Sequence, residues 1–296
     1  MKKFAFLFFL LAALGLSCQK APDAKIFDVG AYKVYVLKDA GFEGKKELLV
    51  GASDDMLKQY VPNGTFPMTV NCIVAQSAEK TILIDSGTGA SIVKNLAGIK
   101  IDPAKVDAVL ITHMHFDHIG GLLKDGKAVF PNADIYISRL EHQYWTSEKE
   151  LANAVKANKD AGNNFKLAAE VVKVYGPKLK LFVPNELDKI KDSLLTGISP
   201  IAAYGHTPGH TIFLIESNNE KLMVWGDLAH AMFIQMPYPE VAMQFDIDSK
   251  EAIAARQKVL KYVSDNKIPV AGMHILSPGA GTLAAEGKGY SFTPLK

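Results

Sequence analysis

Val106-Asp107-Ala108-Val109-Leu110-Ile111-Thr112 is nearly all apolar, and it runs directly into His113-Met114-His115-Phe116-Asp117-His118-Ile119-Gly120-Gly121. An apolar run of this length predicts a strand covered on both faces. Alternating extended positions point side chains the same way, so His113 and His115 can reach one site, and Asp117 and His118 open a turn into a helix beside it. Three imidazoles and a carboxylate at fixed spacing past a buried strand constitute a metal-ligand pattern rather than a surface feature. The fold must therefore supply the remaining ligands from other strand ends, where open α/β sheets place their ligand sites.

The sequence offers such residues at matching places. Gly205-His206-Thr207-Pro208-Gly209-His210 follows a strand-like run at Ile198–Tyr204, Gly226-Asp227 follows Lys221–Trp225, and His274 follows Ile268–Gly272. Further strands are predicted at Lys33–Leu37, Val70–Ala75, Thr81–Asp85 and Thr211–Ile215. Helices are predicted at about 51–60, 90–97 and 249–264, with a long helix-prone stretch at 147–175. Strands and helices interleave in both halves, so two sheets with helices outside them is the economical α/β architecture.

The chain of 296 residues is 48% apolar and 22% charged, which supports a large globular core and excludes a disordered or low-complexity class. Lys2 and Lys3 precede an apolar stretch from Phe4 to Leu16, followed by Ser17 and Cys18. This is the pattern of an export signal over 1–17, too short to cross a bilayer as a helix of roughly 20 residues. Cys18 resembles the lipidation site of bacterial lipoproteins, although Gly15 stands where those usually have Leu. The expected mature chain is periplasmic, membrane-anchored through Cys18, or otherwise secreted, with 19–30 as a tether and 31–296 as one domain. Without the signal, 31 basic residues face 31 acidic ones. That balance provides no field to attract nucleic acid, and suits small uncharged substrates. Cys72 lies in an apolar run and has no partner in the mature chain, so it reads as an inert buried thiol.

In its His-x-His-x-Asp-His run at 113–118, isolated His206, carboxylate Asp227 and late His274, the chain resembles the metallo-β-lactamase superfamily from Leu83-Ile84-Asp85-Ser86-Gly87 onward. The resemblance implies a four-layer αββα sandwich holding two divalent ions, with Zn²⁺ as the default and Mn²⁺ or Fe²⁺ as alternatives. It implies that His113, His115 and His206 bind one ion and that Asp117, His118 and His274 bind the other. Asp227 would bridge them, and Asp85 would orient a ligand histidine. His210 is expected behind the ligands, His230 in the pocket wall and His142 on the surface. Such a pair of ions yields a bridging hydroxide as nucleophile, with Asp117 placed to orient it, so Asp117 and Asp227 are the expected catalytic carboxylates.

Residue identity separates the branches of the family. Antibiotic-hydrolysing members often carry Cys where Asp227 stands, and oxygen-reducing di-iron members usually have Glu in place of His115 and a flavin domain. Thiolester-cleaving glyoxalases share the His-Thr-Pro-Gly-His run at 206–210 and remain an alternative, as does a metal-binding protein without turnover. The branch of N-acyl-homoserine lactonases and methyl parathion hydrolase is the most similar. The likeness covers Phe66-Pro67-Met68, Phe130-Pro131-Asn132-Ala133, Glu141 with Trp145, Gly226-Asp227-Leu228-Ala229-His230, and His274 followed by Pro278-Gly279 and Gly281. The small lactonases have a Tyr where His230 stands. Membership in this branch implies hydrolysis of a lactone, ester or phosphotriester, and relatives are often homodimers. Phe116, Trp145, His230, Met232 and Phe233 are the expected pocket residues.

Overall fold

Ile82, Leu83 and Ile84 are fully buried in one short strand, although alternate side chains of a strand point to opposite faces. A strand like this needs apolar cover on both sides. The computed structural model, which describes residues 24–157 and 162–295, supplies it with four layers. The first sheet comprises β1 (Ala24–Val29), β2 (Tyr32–Lys45), β3 (Thr65–Gln76), β4 (Thr81–Ile84), β5 (Ala108–Leu110), β6 (Asp134–Ser138) and β7 (Leu179–Phe182), paired in chain order. β1 to β4 run antiparallel, and β4 to β7 run parallel. The second sheet comprises β8 (Ile198–Ala202), β9 (Thr211–Ser217), β10 (Glu220–Val224), β11 (Val270–Ala271), β12 (Ala280–Glu286) and β13 (Gly289–Pro294), again in chain order.

The strand period of two sorts the core. Val34, Val36, Ile73, Ile82, Ile84 and Leu110 face inward and meet Phe213, Ile215 and Val224 of the second sheet. Leu37, Cys72, Val74, Leu83 and Val109 face outward. Helices α1 (Asp54–Tyr60), α2 (Ile92–Gly98), α3 (Phe116–Ile119), α4 (Arg139–Trp145), α5 (Glu148–Ala157) and α6 (Gly162–Tyr175) precede β8. Of these, α2, α4 and α6 cover the outward face with Ile92, Leu96, Trp145, Phe165 and Val171. On the second sheet, Ile212, Leu214, Met223 and Trp225 meet Val259, Leu260 and Val263 of α8 (Ser249–Asp265), which follows the short α7 (Met232–Gln235). The αββα sandwich implied by the resemblance is the observed architecture.

Three expectations change. The stretch expected as a tether over 19–30 contributes β1, because Ala24–Val29 folds back on β2 in register from Ala24↔Leu37 to Val29↔Tyr32 and buries Val29. The hairpin needs only the tight Gly30-Ala31 turn, with Gly30 at φ +58. The single helix-prone stretch at 147–175 contains two helices, α5 and α6. The strand reading of the sequence also omits β6 and β7 in the first sheet and β12 and β13 at the chain end. The export signal, Cys18 and the first residues of the expected tether lie outside the described residues. Among the described residues, no helix is long and apolar enough to cross a membrane.

The fold places the predicted ligands by a simple rule. Asp85 follows β4, the 113–118 run follows β5, His206 follows β8, Asp227 follows β10 and His274 follows β11. These carboxyl ends open along one edge, where the loops of both sheets converge.

Candidate metal centre

Two sets of ligand atoms converge at that edge, and they share one carboxylate. His113, His115, His206 and Asp227 form the first set, and Asp117, His118, Asp227 and His274 form the second. In the first, His113 Nε2 lies 2.9 Å from His115 Nδ1, and His206 Nε2 lies 3.0 Å from His115 Nδ1 and 3.2 Å from His113 Nε2. Asp227 Oδ2 lies 3.2 Å from His206 Nε2 and 3.5 Å from His113 Nε2. In the second, His118 Nε2 is 3.1 Å from Asp227 Oδ1, and His274 Nε2 is 3.2 Å from Asp227 Oδ2. Asp117 Oδ2 completes it at 3.7 Å from His118 Nε2 and 3.5 Å from His274 Nε2. Four ligands about a zinc ion at 2.0–2.1 Å would be separated by roughly 3.3 Å, so both sets have the spacing of a coordination sphere.

The hydrogen bonds behind the ligands decide which nitrogen is free. His118 Nδ1–H donates to Asp85 Oδ2 (2.7 Å), His206 Nδ1–H to Asp246 Oδ1 (2.8 Å) and His274 Nδ1–H to the Thr69 carbonyl (2.6 Å). Thr112 Oγ1 gives its proton to Asp85 Oδ2 (2.7 Å), so it accepts from His113 Nδ1–H (3.1 Å). Each of these rings, when neutral, turns a bare Nε2 lone pair toward the others. Lone pairs 3 Å apart repel unless a cation or proton lies among them, and a ring braced through its other nitrogen is the usual state of a metal-bound histidine. His118 Nε2 and Asp227 Oδ1 are moreover buried without a hydrogen-bond partner. Orphaned buried polar atoms carry a cost that a metal ion removes. The residues fit a pair of divalent ions.

The electrostatics agree. Burial and the surrounding imidazoles hold His113 and His115 well below the usual histidine range. Burial opposes charge on Asp227, but His118, His274, His230 and His113 hold it well below the usual carboxylate range. His118 and His274 are raised despite burial, chiefly by Asp227. The centre thus attracts positive charge.

Local backbone serves the same end. Asp85 sits at φ +55, a left-handed conformation rare outside Gly and Asn, and its carboxylate also accepts from Thr112 N. Gly226, at φ +54, has no room for a Cβ, which would meet His210 Nε2 at 2.6 Å. This close approach lets His210 Nε2 accept from Asp227 N–H (3.0 Å) while its Nδ1–H donates to the Ala203 carbonyl (2.9 Å). His210 therefore fixes the backbone of the shared carboxylate, as its expected place behind the ligands requires. Glu141 joins the two ligand loops. It accepts from Met114 N (2.9 Å) in the first loop and Gly209 N (2.8 Å) in the other, and from Trp145 Nε1 (2.7 Å).

A cleft of about 440 Å³ opens onto the centre, lined by His115, Asp117, His206, Asp227, His230 and His274 at its floor. Phe42, Met68, Phe116 and Phe245 form apolar walls beside Thr88 and Asn164, and no Lys or Arg lines it among the described residues. Of the expected pocket residues, Phe116 and His230 are in place. His230 does more than line the wall, since its Nε2–H donates to Asp227 Oδ2 (3.0 Å) and its ring stacks on His274 at 4.5 Å. Trp145 is a correction. Its indole N–H is spent on Glu141, and the ring packs into the core behind His115 at 5.4 Å. Met232 and Phe233 are also corrections, because α7 turns them away from the cleft, Met232 toward the second-sheet core and Phe233 against Phe66. His142 lies on α4, outside both ligand sets. Cys72 is buried and free, with its thiol pushed up by burial. Asp246, Phe42 and Phe245 carry no local motif in the sequence, and Met68 belongs to the Phe66-Pro67-Met68 likeness without being singled out as a pocket residue.

Fold and centre together define a class, and the comparison of the chain with family models names it. The chain belongs to the metallo-β-lactamase superfamily, whose model matches residues 65–268. Among curated proteins it is similar to the N-acyl homoserine lactonase AttM of Agrobacterium fabrum (strain C58 / ATCC 33970), with 29% identity over 143 residues, 47% of this chain and 48% of the relative. The chain thus spans about half the length of the curated relatives it matches. Among solved structures, it is similar to AidC, a dizinc quorum-quenching lactonase in complex with a product, at 29% identity and a TM-score of 0.84, covering 94% of this chain and 99% of that one. Hydrolase AbOPH of the beta lactamase superfamily is similar at 27% identity and a TM-score of 0.83, with the same coverage.

Proposed function

We propose that the protein is a dinuclear metal-dependent hydrolase of small, uncharged, acyl-bearing lactones, with activity extending to esters and phosphotriesters. The observation that carries this reading is the pair of ligand sets sharing Asp227 at the floor of an apolar cleft. Two divalent ions, when bound, supply a hydroxide at neutral pH and a Lewis acid for the scissile carbonyl. Imidazole and carboxylate ligands without thiolate suit zinc, and the dizinc lactonase among the similar structures supports that choice.

The chain's own residues supply the rest. Phe42, Met68, Phe116 and Phe245 bind the acyl portion and exclude water. His210 and His230 hold Asp227 from its backbone and its Oδ2. The Asp117 side chain is 26% exposed while its ligand partners are nearly sealed, so it faces the reacting group. It is placed to orient the attacking water and to pass a proton from it to the leaving alkoxide. The export signal and Cys18 support a further proposal, that the enzyme works outside the cytoplasm, where diffusible lactones are met.

The test is an activity screen by bond type on zinc- or manganese-loaded protein, with N-acyl homoserine lactones of increasing chain length, an aryl ester and a phosphotriester. Lactone opening is expected to dominate, and kcat/KM is expected to rise about fourfold per added CH₂ until the cleft is filled, from ~0.8 kcal/mol per buried methylene. No hydrolysis of any of the three would overturn the reading.

A further inference from the structure

Both ligand sets contain a histidine braced by a carboxylate, Asp85 behind His118 and Asp246 behind His206. Asp85 stands within the first sheet's loops. Asp246 stands forty residues beyond its partner, on a loop held by a different device. We propose that Asp246, seated by the buried Arg256, is a positioning residue that sets the affinity of the His206-side metal position independently of the Asp85-side position. The proposal rests on the dinuclear reading above.

The geometry is built for this role. The Asp246 side chain is fully enclosed. Its Oδ1 accepts from His206 Nδ1–H and its Oδ2 from Met243 N (2.9 Å). Arg256 is 1% exposed, an unusual cost for a cation with no full ion pair, since Asp246 Oδ2 lies 3.9 Å from its Nη2. Its other donors are taken by carbonyls. Nε bonds Leu228 O (2.7 Å), and Nη1 bonds Pro239 O (2.9 Å) and Val241 O (2.8 Å). One planar guanidinium thus ties the residue after Asp227 to the loop that delivers Asp246.

The backbone repeats the link. Ile247 N–H donates to His206 O (3.0 Å) and Asp248 N–H to Gly205 O (2.8 Å), and Asp248 also caps α8, the helix that carries Arg256. Gly205 lies against that helix start so closely that a Cβ would meet Ala252 N at 2.0 Å. His206 is therefore set from α8, whereas His118 is set from the first sheet.

The test measures stepwise zinc affinity of the metal-free protein by competition with a chromophoric chelator, for wild type, D246N, D85N, H206A and the D246N/H206A double variant. Wild type is expected to take up two ions. D246N is expected to weaken one of them about 10–100-fold, the usual effect of losing a ligand's hydrogen-bond partner, and to leave the other within twofold. D85N is expected to weaken chiefly the other ion, through His118, with a smaller effect on the His206 side through Thr112 and His113. In the H206A background, D246N is expected to have no further effect, because the ligand it braces is gone. Equal weakening of both ions by D246N, or additive loss in the double variant, would overturn the proposal in favour of a general structural role. Wild type taking up two ions with D246N unchanged would also overturn it while leaving the dinuclear reading intact. Wild type failing to take up two ions would overturn that reading itself.

Discussion

Asp227→Ala is expected to leave the purified chain with well under one tightly bound metal ion and to reduce lactone hydrolysis by about 10³-fold or more, equivalent to ~4 kcal/mol of lost transition-state stabilisation. Asp227 is the one residue common to both ligand sets, with Oδ1 toward His118 and Oδ2 toward His113, His206 and His274. Its removal takes a ligand from each position at once. It also removes the negative charge that balances the converging imidazoles, which a neutral side chain cannot restore. Asp227→Asn keeps the shape and loses the charge, so it should retain more metal than the alanine variant but far less than wild type. Elemental analysis of gel-filtered protein reads the result, with circular dichroism to establish that the fold persists. Two ions retained per chain in the alanine variant would refute the shared-ligand assignment.

The second large effect is on stability. Removing the ions by chelation is expected to lower Tm by on the order of 10 °C or more. An ion present at 1,000 times its Kd stabilises the folded state by ~4.1 kcal/mol, and two such sites act on one cooperative unit. Each kcal/mol shifts Tm by about 2–4 °C for a domain of this size class. Ions would also satisfy His118 Nε2 and Asp227 Oδ1, which are buried without hydrogen-bond partners from the chain. Acidification should mimic chelation, because ligating imidazoles must be deprotonated and protons compete with metal for the same lone pairs. Differential scanning calorimetry before and after chelation, with zinc added back, measures the effect. An unchanged Tm would show that the cluster is held together without metal.

Much of the centre is legible in the sequence because its ligands sit at strand ends, where a buried apolar run breaks abruptly into polar residues. Val106–Thr112 announces its own end, and the His and Asp positions after it are separated by one or two residues, a spacing that geometry converts directly into proximity. Asp85 is legible for the same reason. Asp246 is not, since its contact with His206 depends on how the α8 segment returns to the sheet, and Phe245-Asp246-Ile247-Asp248 carries no local signal of it. The cleft walls are opaque in the same way. Phe42, Met68, Phe116 and Phe245 come from four separate segments, and only Phe116 adjoins the ligand motif. Trp145, Met232 and Phe233 show the converse error. Met232 and Phe233 lie near Asp227 in sequence and Trp145 lies near Glu141, but the hydrogen bond to Glu141 turns Trp145 inward and the contact with Phe66 draws Phe233 to another cluster. Ala24–Val29 reads as a tether because it mixes charged and apolar residues, and its partner β2 alone determines its pairing.

Turnover measured against zinc equivalents most directly tests whether two ions act as one centre. Metal-free protein would be titrated with zinc while the opening of N-hexanoyl homoserine lactone is followed by the proton released. The expected result is little activity at one equivalent per chain, followed by a steep rise that saturates at two. Full activity at one equivalent, or activity indifferent to added metal, would contradict a dinuclear hydrolase built around Asp227.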